Sequence, residues 1–405
     1  MQIPSTYRMG DSDYITVPVL KKFCLENGLK VTGNRMDFIL QIEEFANENA
    51  ENLNFVYDWL ENVLKMGMKT CLISKIVPIS INYECDIEKR INEKFASCPQ
   101  KRICENYAGK ELRLIRYELV KNESDELIGC EFVFLINIVK AKGTYENTGD
   151  TISYPVFVDV DLKNGFVVSR AKSSSGLFKV GEEKNMIYSD KKTSAEALMR
   201  AAEDCIIKSI DYIREDASLC KNTFKKAIFG ILDRYTKTPK VIKDKIQLSE
   251  DLCTKFANEV FSRIDIKVHG DNYKDALYDL EIFIEKYASI THEDRSIFME
   301  DRNAYPVKFL VQDSEFTKIQ EHTNGEDPLQ SKKAFFDSKK VVYTNKKCDT
   351  ITLCHERKAT KYYNDKYFVV SISIEKSSCK VKFMSFVEEG DIQSVLSRIV
   401  QEYVV

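Results

Sequence analysis

The chain has 405 residues, enough for two or three domains of roughly 100–200 residues each. With 43% hydrophobic and 30% charged residues and few glycines or prolines, it has the composition of a folded protein and not of a disordered one. Its formal net charge of −3 excludes a polycation that coats nucleic acid by bulk charge, so any such contact must be local.

The opening MQIPSTYRMG has no charged region followed by an apolar run, and no apolar stretch reaches the roughly 18–20 residues that cross a bilayer. A soluble, cytoplasmic protein without a membrane partner is expected. The twelve cysteines are scattered through apolar surroundings such as TCLIS and IGCEFVF, which reads as reduced core thiols. There is no C-x-x-C pair. The nearest ligand-like group, Cys348, Cys354 and His355, fits no common zinc spacing, so no metal and no other cofactor is expected from it.

In chain order, the first informative stretch is LKKFCLENGLKVTGNRMDFILQI, Leu20 to Ile42. Thr16 is placed to cap a helix with Pro18 just inside it, and Val17, Leu20, Phe23 and Cys24 recur at helical spacing. Gly28 suits the left-handed residue that ends such a helix. After the extended LKV, Thr32 is placed to cap a second helix and Gly33 to turn into it, with Met36, Phe38, Ile39, Leu40 and Ile42 as its apolar face. Two helices this short bury too little alone, so a third element should pack on them.

These residues resemble the SAP module, a helix–extension–helix DNA-binding unit. The resemblance rests on Val17, Leu20, Gly28, Leu29, Thr32, Gly33, Arg35, Asp37 and Ile39, and covers about residues 14–45. It implies duplex DNA as the partner, contacted through the second helix start and nearby basic side chains: Lys21, Lys22, Lys30, Gly33, Asn34 and Arg35. The chain departs from the family late in the second helix, where Gln41, Glu43 and Glu44 stand. Residues 1–50 carry five basic against seven acidic side chains, which points to weak or partner-assisted binding. The alternative is an ordinary helical hairpin that packs or holds a protein partner.

ENLNFVYDWLENVLKMG puts Leu53, Val56, Tyr57, Leu60, Val63 and Leu64 on one helical face, a candidate third helix, with Trp59 off that face and placed to pack on the following domain. From Glu111 the period changes to that of strands: ELRLIRYELV, LIGCEFVFLINIVKAK, ISYPVFVDVDLK and GFVVSRAK form a four-stranded antiparallel meander, with a tight turn at Asn164–Gly165. Helices follow in SAEALMRAAEDCIIKSIDYI and NTFKKAIFGILDRY. After RYTKTPKVIKDK come a helical stretch, YKDALYDLEIFIEKYASI, then strands in YPVKFLVQD, KKVVYTN, DTITLCHER, KYFVVSISIE and KVKFMSFV, and a closing helix capped by Asp391. The expected fold class is therefore α+β and multi-domain: a helical module over 1–67, an α+β domain over 68–245 and a second over 246–405, both with antiparallel meanders.

Three constellations bear on chemistry. Alternation puts Asp159, Asp161 and Lys163 on one strand face, the acid-x-Lys pattern with which nuclease sheets hold magnesium; a half-exposed strand beside a turn gives the same pattern for structural reasons. The four histidines, His269, His292, His322 and His355, are scattered without nucleophile partners, and neither phosphate-loop nor dinucleotide glycine motif is present. Two stretches are locally basic. Residues 221–245, with Lys225 and Lys226, hold eight basic against two acidic side chains; residues 332–366, with Lys358 and Lys361, hold ten against four, interleaved with Tyr343, Tyr362, Tyr363 and Tyr367. Lysine neutralises phosphate and tyrosine stacks on bases, as a nucleic-acid groove requires. The acidic DIKVHGDNYKDALYDLEIFIEKY between them shows that charge is segregated along the chain.

The sequence thus predicts a DNA-associated protein that binds by backbone and shape. The alternatives are a magnesium-dependent nuclease centred on Asp161 and Lys163, possible in defence against foreign DNA, and a protein-interaction scaffold.

Overall fold

A computed structural model describes residues 1–10, 14–79, 87–105, 108–141, 149–181, 188–265, 267, 269–312, 318–323, 327–357, 361–363 and 365–404. The chain starts with a one-turn helix α1 (Ser5–Arg8), then α2 (Val17–Glu26), α3 (Arg35–Glu48) and α4 (Ala50–Lys65). Strand β1 (Lys69–Pro78), helix α5 (Ile87–Lys94) and strands β2 (Arg113–Lys121), β3 (Leu127–Ala141), β4 (Gly149–Asp161), β5 (Phe166–Lys172), β6 (Leu177–Val180) and β7 (Tyr188–Thr193) follow. Next are α6 (Ala195–Ser209), β8 (Tyr212–Arg214), α7 (Ala217–Tyr235), α8 (Lys240–Arg263) and α9 (Asp271–Ile290). The last part holds β9 (Ala304–Gln312), β10 (Lys318–His322), α10 (Lys333–Asn345), β11 (Thr350–Glu356), β12 (Tyr367–Glu375), β13 (Ser378–Phe383) and α11 (Glu389–Val404).

These elements form two compact units, each assembled from separated pieces of chain. The first holds Met1–Lys221, Lys358–Phe368 and Glu375–Val395; the second holds Asn222–Arg357, Val369–Ile374 and Leu396–Val405. Both mix helices with sheet, and neighbouring strands such as β1 and β5, β3 and β4, and β9 and β11 pair antiparallel, as an α+β chain should show.

In the first unit the strand order is β13-β1-β5-β4-β3-β6-β7, with β2 also on β3 and β8 also on β1. The meander expected from the alternating pattern is present as β2, β3, β4 and β5, each antiparallel to the next. Its longest pairing runs from Gly129 opposite Asp161 to Ala141 opposite Gly149. Apolar side chains of these strands and of α6 bury together, Phe132, Phe134, Phe157 and Ile206 among them.

The helical start of this unit forms as expected in outline and differs in detail. Gly28 ends α2 with φ +68, and Leu29 packs back on the core. Thr32, however, does not cap α3. Asn34 does, accepting the N–H of Met36 at 2.8 Å and of Asp37 at 3.2 Å, while Asp37 takes the N–H of Asn34 at 2.7 Å. That reciprocal pair satisfies three backbone donors at once, which a Thr32 hydroxyl two residues earlier cannot. Met36 and Leu40 were expected inside but are 41% and 47% exposed; the buried face is Phe38, Ile39, Ile42 and Ala46. Helix α4 supplies the third element, and Trp59 packs within this bundle, its ring 4.5 Å from that of Phe23, and not on a following domain as expected.

One buried charge anchors α6 to the sheet. Glu203 is fully buried and receives Ser169 at 2.6 Å, Arg214 at 2.8 Å and Ser74 at 2.9 Å. Burial raises its pKa, while the serines and Arg214 oppose the rise.

In the second unit the strand order is β10-β9-β11-β12. Helix α9 lies against α8 and α10. KKVVYTN, expected as a strand, is the second half of α10: Phe335, Phe336, Ser338, Lys339 and Val342 recur inside at helical spacing, and the β-branched pair Val341–Val342 is overridden by that packing. No helix among the described residues is long and apolar enough to cross a membrane.

Candidate functional site

The residues marked by the SAP resemblance divide into those facing solvent and those spent inside. Lys21 and Lys30 are exposed, and Lys22 is half-buried with a loose pairing to Glu26 at 3.6 Å. Arg35 is different. Its guanidinium donates to four backbone carbonyls, Arg8 and Ile15 at 2.6 Å, Tyr7 at 3.0 Å and Met9 at 3.4 Å, and so pins the N-terminal turn to α3. Nor does the start of α3 offer a set of open amides. The N–H groups of Asn34, Met36 and Asp37 are all taken by the capping pair, and Gly33 sits at φ +130 where an added Cβ would meet Asp37. Contact with an anion on this face falls to the lysine side chains.

A second group arrives from far along the chain. Lys361 pairs with Glu26 at 3.1 Å, its backbone N–H donates to Glu388 at 2.6 Å, and Tyr363 donates to Thr16 at 2.6 Å. The rings of Tyr362 and Tyr363 lie 6.2 and 4.7 Å from Phe386. The fold thus brings the 361–363 segment beside α2, within the same unit as Lys21 and Lys30. Lys358 lies outside the described residues.

The basic stretches of the second unit look different in space than along the chain. Lys225 pairs with Asp349 at 2.6 Å, both side chains largely buried, while Lys226 is exposed. The acidic helix α9 lies against α10. Lys339 pairs with Glu285, Lys286 with Asp337, and Lys340 with Asp279 at 2.8 Å. Lys339 and Lys340 of the 332–366 stretch are therefore matched by acids of α9, whereas Lys226, Lys237, Lys240, Lys243 and Lys245 of the 221–245 stretch are exposed. Tyr343 is half-buried, with its hydroxyl bonded to Thr236 and its ring edge-on to Phe229.

Asp159, Asp161 and Lys163 do line one cleft, of about 590 Å³, together with Lys65, Glu131, Arg170 and Glu389. Their roles differ from the expectation. Strand β4 ends at Asp161, so Lys163 belongs to the turn; that turn takes four residues, 162–165, in place of the two expected at Asn164–Gly165. Asp161 closes it, accepting the Asn164 N–H at 2.9 Å and its amide at 2.7 Å. Asp159 takes Arg170 at 2.6 Å, and Arg170 reaches Glu389 at 2.5 Å with its other nitrogen. Lys65 holds Glu131 at 2.7 Å, directly across from Asp159 in the β3–β4 register.

Arg170 is the centre of this network, its side chain only 3% exposed. Burial works against its charge, but Asp159 and Glu389 outweigh burial and hold it firmly protonated. Arg170 and Glu389 carried no motif; the only sequence signal was an arginine within the strand FVVSRAK. Among the described residues no three His, Cys, Asp or Glu side chains gather as a metal would require. The cleft acids, occupied by Arg170, Lys65 and Asn164, do not fit a magnesium site as arranged, and no step through a metal follows. Of the histidines, His355 is buried and its pKa is pushed down to about 4 by burial.

No protein-family model matches the chain. No curated protein matches it either. The fold and the geometry of these side chains are what a functional reading can use.

Proposed function

We propose that the chain is a DNA-associated protein whose N-terminal helices, read as a SAP-like module, bind the phosphate backbone of duplex DNA. The observation that carries this reading is the exposure of Lys21 and Lys30 on either side of the turn at Gly28, with Lys22 beside them and Lys361 next to Glu26. Lys21 and Lys22 on α2, Lys30 in the link that follows it and Lys361 beside it make contacts that position a duplex without reading bases, since phosphate contacts carry no sequence information. Arg35 has a structural role in this account, and the lysines provide the charge. With so few contacts the affinity is modest and sensitive to salt.

Binding of a fluorescent duplex to the purified chain, followed by anisotropy from about 50 to about 200 mM salt, tests the reading. Affinity that falls steeply over that range supports it. No binding at the low-salt end refutes it and leaves the helices as a packing or protein-binding hairpin.

A further inference from the structure

Helix α8 has two apolar lines. One side is covered: Ile242 and Ala257 are buried, and α8 lies against α9. The other is open to solvent: Leu248 is 83% exposed, Leu252 66% and Phe256 58%, with Val241 43% exposed two turns earlier. Single exposed apolar residues are ordinary, but three on successive turns form a ridge, and monomers seldom leave such a ridge uncovered. Spacing of four is the row that interdigitates with an identical row on another helix, at a crossing angle of roughly −50°.

We infer that this ridge is the contact by which two copies of this chain associate, their α8 helices crossing antiparallel about a two-fold axis at Leu252. The charges select both the partner and the direction. Lys245 and Glu259 stand seven residues before and seven after Leu252, both exposed. In the antiparallel arrangement each Lys245 meets the other copy's Glu259, twice by symmetry, while Leu248 meets Phe256 and Leu252 meets itself. A parallel arrangement would set Lys245 against Lys245 and Glu259 against Glu259. Glu259 already has an exposed pairing with Arg263 at 2.5 Å, of the kind that contributes little and is readily exchanged.

Sedimentation equilibrium of the full chain, from about 1 to about 100 μM, reads the association directly. The expected result is a concentration-dependent dimer. Leu252→Glu, at an exposed position, should weaken it roughly a hundredfold or more, because it removes two apolar contacts and sets two like charges at the axis. Lys245→Glu and Glu259→Lys should each weaken it on the order of tenfold, and the double exchange should recover most of the parent affinity. Circular dichroism shows that each variant is folded, and the charge exchanges serve if Leu252→Glu is not. A chain monomeric at every concentration overturns the inference, as does a dimer indifferent to Leu252→Glu or a double exchange no better than the single ones. Occupation of the ridge by a different protein would give the first of these results.

Discussion

Tyr363 donates its hydroxyl to Thr16 Oγ1 at 2.6 Å, across 347 positions of sequence. Thr16 is the N-cap residue of α2 by position and backbone angle, yet its side chain makes no capping bond. The hydroxyl that would have capped the helix instead ties the 361–363 segment to it. Tyr363→Phe should therefore cost about 1 kcal/mol of stability, the net worth of one hydrogen bond, and leave duplex binding unchanged because the ring still packs on Phe386. Urea unfolding and anisotropy measured on the same variant check both halves.

The capping pair at α3 separates two readings of the same three residues, Thr32, Gly33 and Asn34. Asn34→Ala should destabilise by about 1 kcal/mol, whereas Thr32→Ala should change stability by less than about 0.5 kcal/mol. Thermal or urea melts of the two variants decide which residue caps the helix.

Arg170 draws Asp159 of β4 and Glu389 of α11 together beside the cleft. Arg170→Met keeps much of the volume but leaves two acids facing each other, and should cost roughly 3 kcal/mol. Arg170→Lys should not restore the parent, because one ammonium cannot reproduce a guanidinium that serves two carboxylates. Urea midpoints of the two variants, compared with the parent, test this.

Lys69 is 2% exposed and donates to the Leu64 carbonyl at 2.5 Å. Burial, aided by Lys172 and Arg170, pushes its pKa down to about 7. Below that value the lysine is charged in both the folded and the unfolded chain, and the full penalty is present. As pH rises from about 7 toward the ordinary lysine value of about 10.4, the unfolded chain holds the proton that the folded one has released, so the penalty is relieved. The stability of Lys69→Met relative to the parent should therefore fall by about 3 kcal/mol between about pH 6 and about pH 9. A constant difference across that range would mean that Lys69 does not lose its proton on folding.

Much of the local structure was legible in the sequence. The meander of β2 to β5 follows from alternation broken by turn residues, and α2, α3 and α4 follow from helical spacing between caps. The Asn34–Asp37 signal was also present, as an asparagine followed three residues later by an acid; Thr32 is likewise an N-cap residue type, but Arg35 and no acid stands three residues after it. What could not be read is whatever depends on a distant partner. Arg35 looks like any basic residue at a helix start until the carbonyls of Tyr7, Arg8 and Ile15 arrive around it. The lysines of α10 look like a basic surface until the acids of α9 lie beside them. The same holds for the cleft, where Asp159, Asp161 and Lys163 were found together, but Arg170 and Glu389, 219 positions apart, decide what the acids do.

The most direct test of the proposed function compares the salt dependence of duplex binding between the parent and the triple variant Lys21→Ala, Lys22→Ala, Lys30→Ala. Each phosphate contact removed should reduce the slope of log affinity against log salt by roughly 0.9, so the variant should lose between about two and three units of slope and bind all sequences more weakly alike. Arg35 is left intact, which keeps the N-terminal turn in place. If the parent binds duplex DNA with a steep slope and the variant does not, the lysines of the helical module carry the interaction. If the two slopes agree, or if neither protein binds at low salt, the DNA-binding account of this module is wrong.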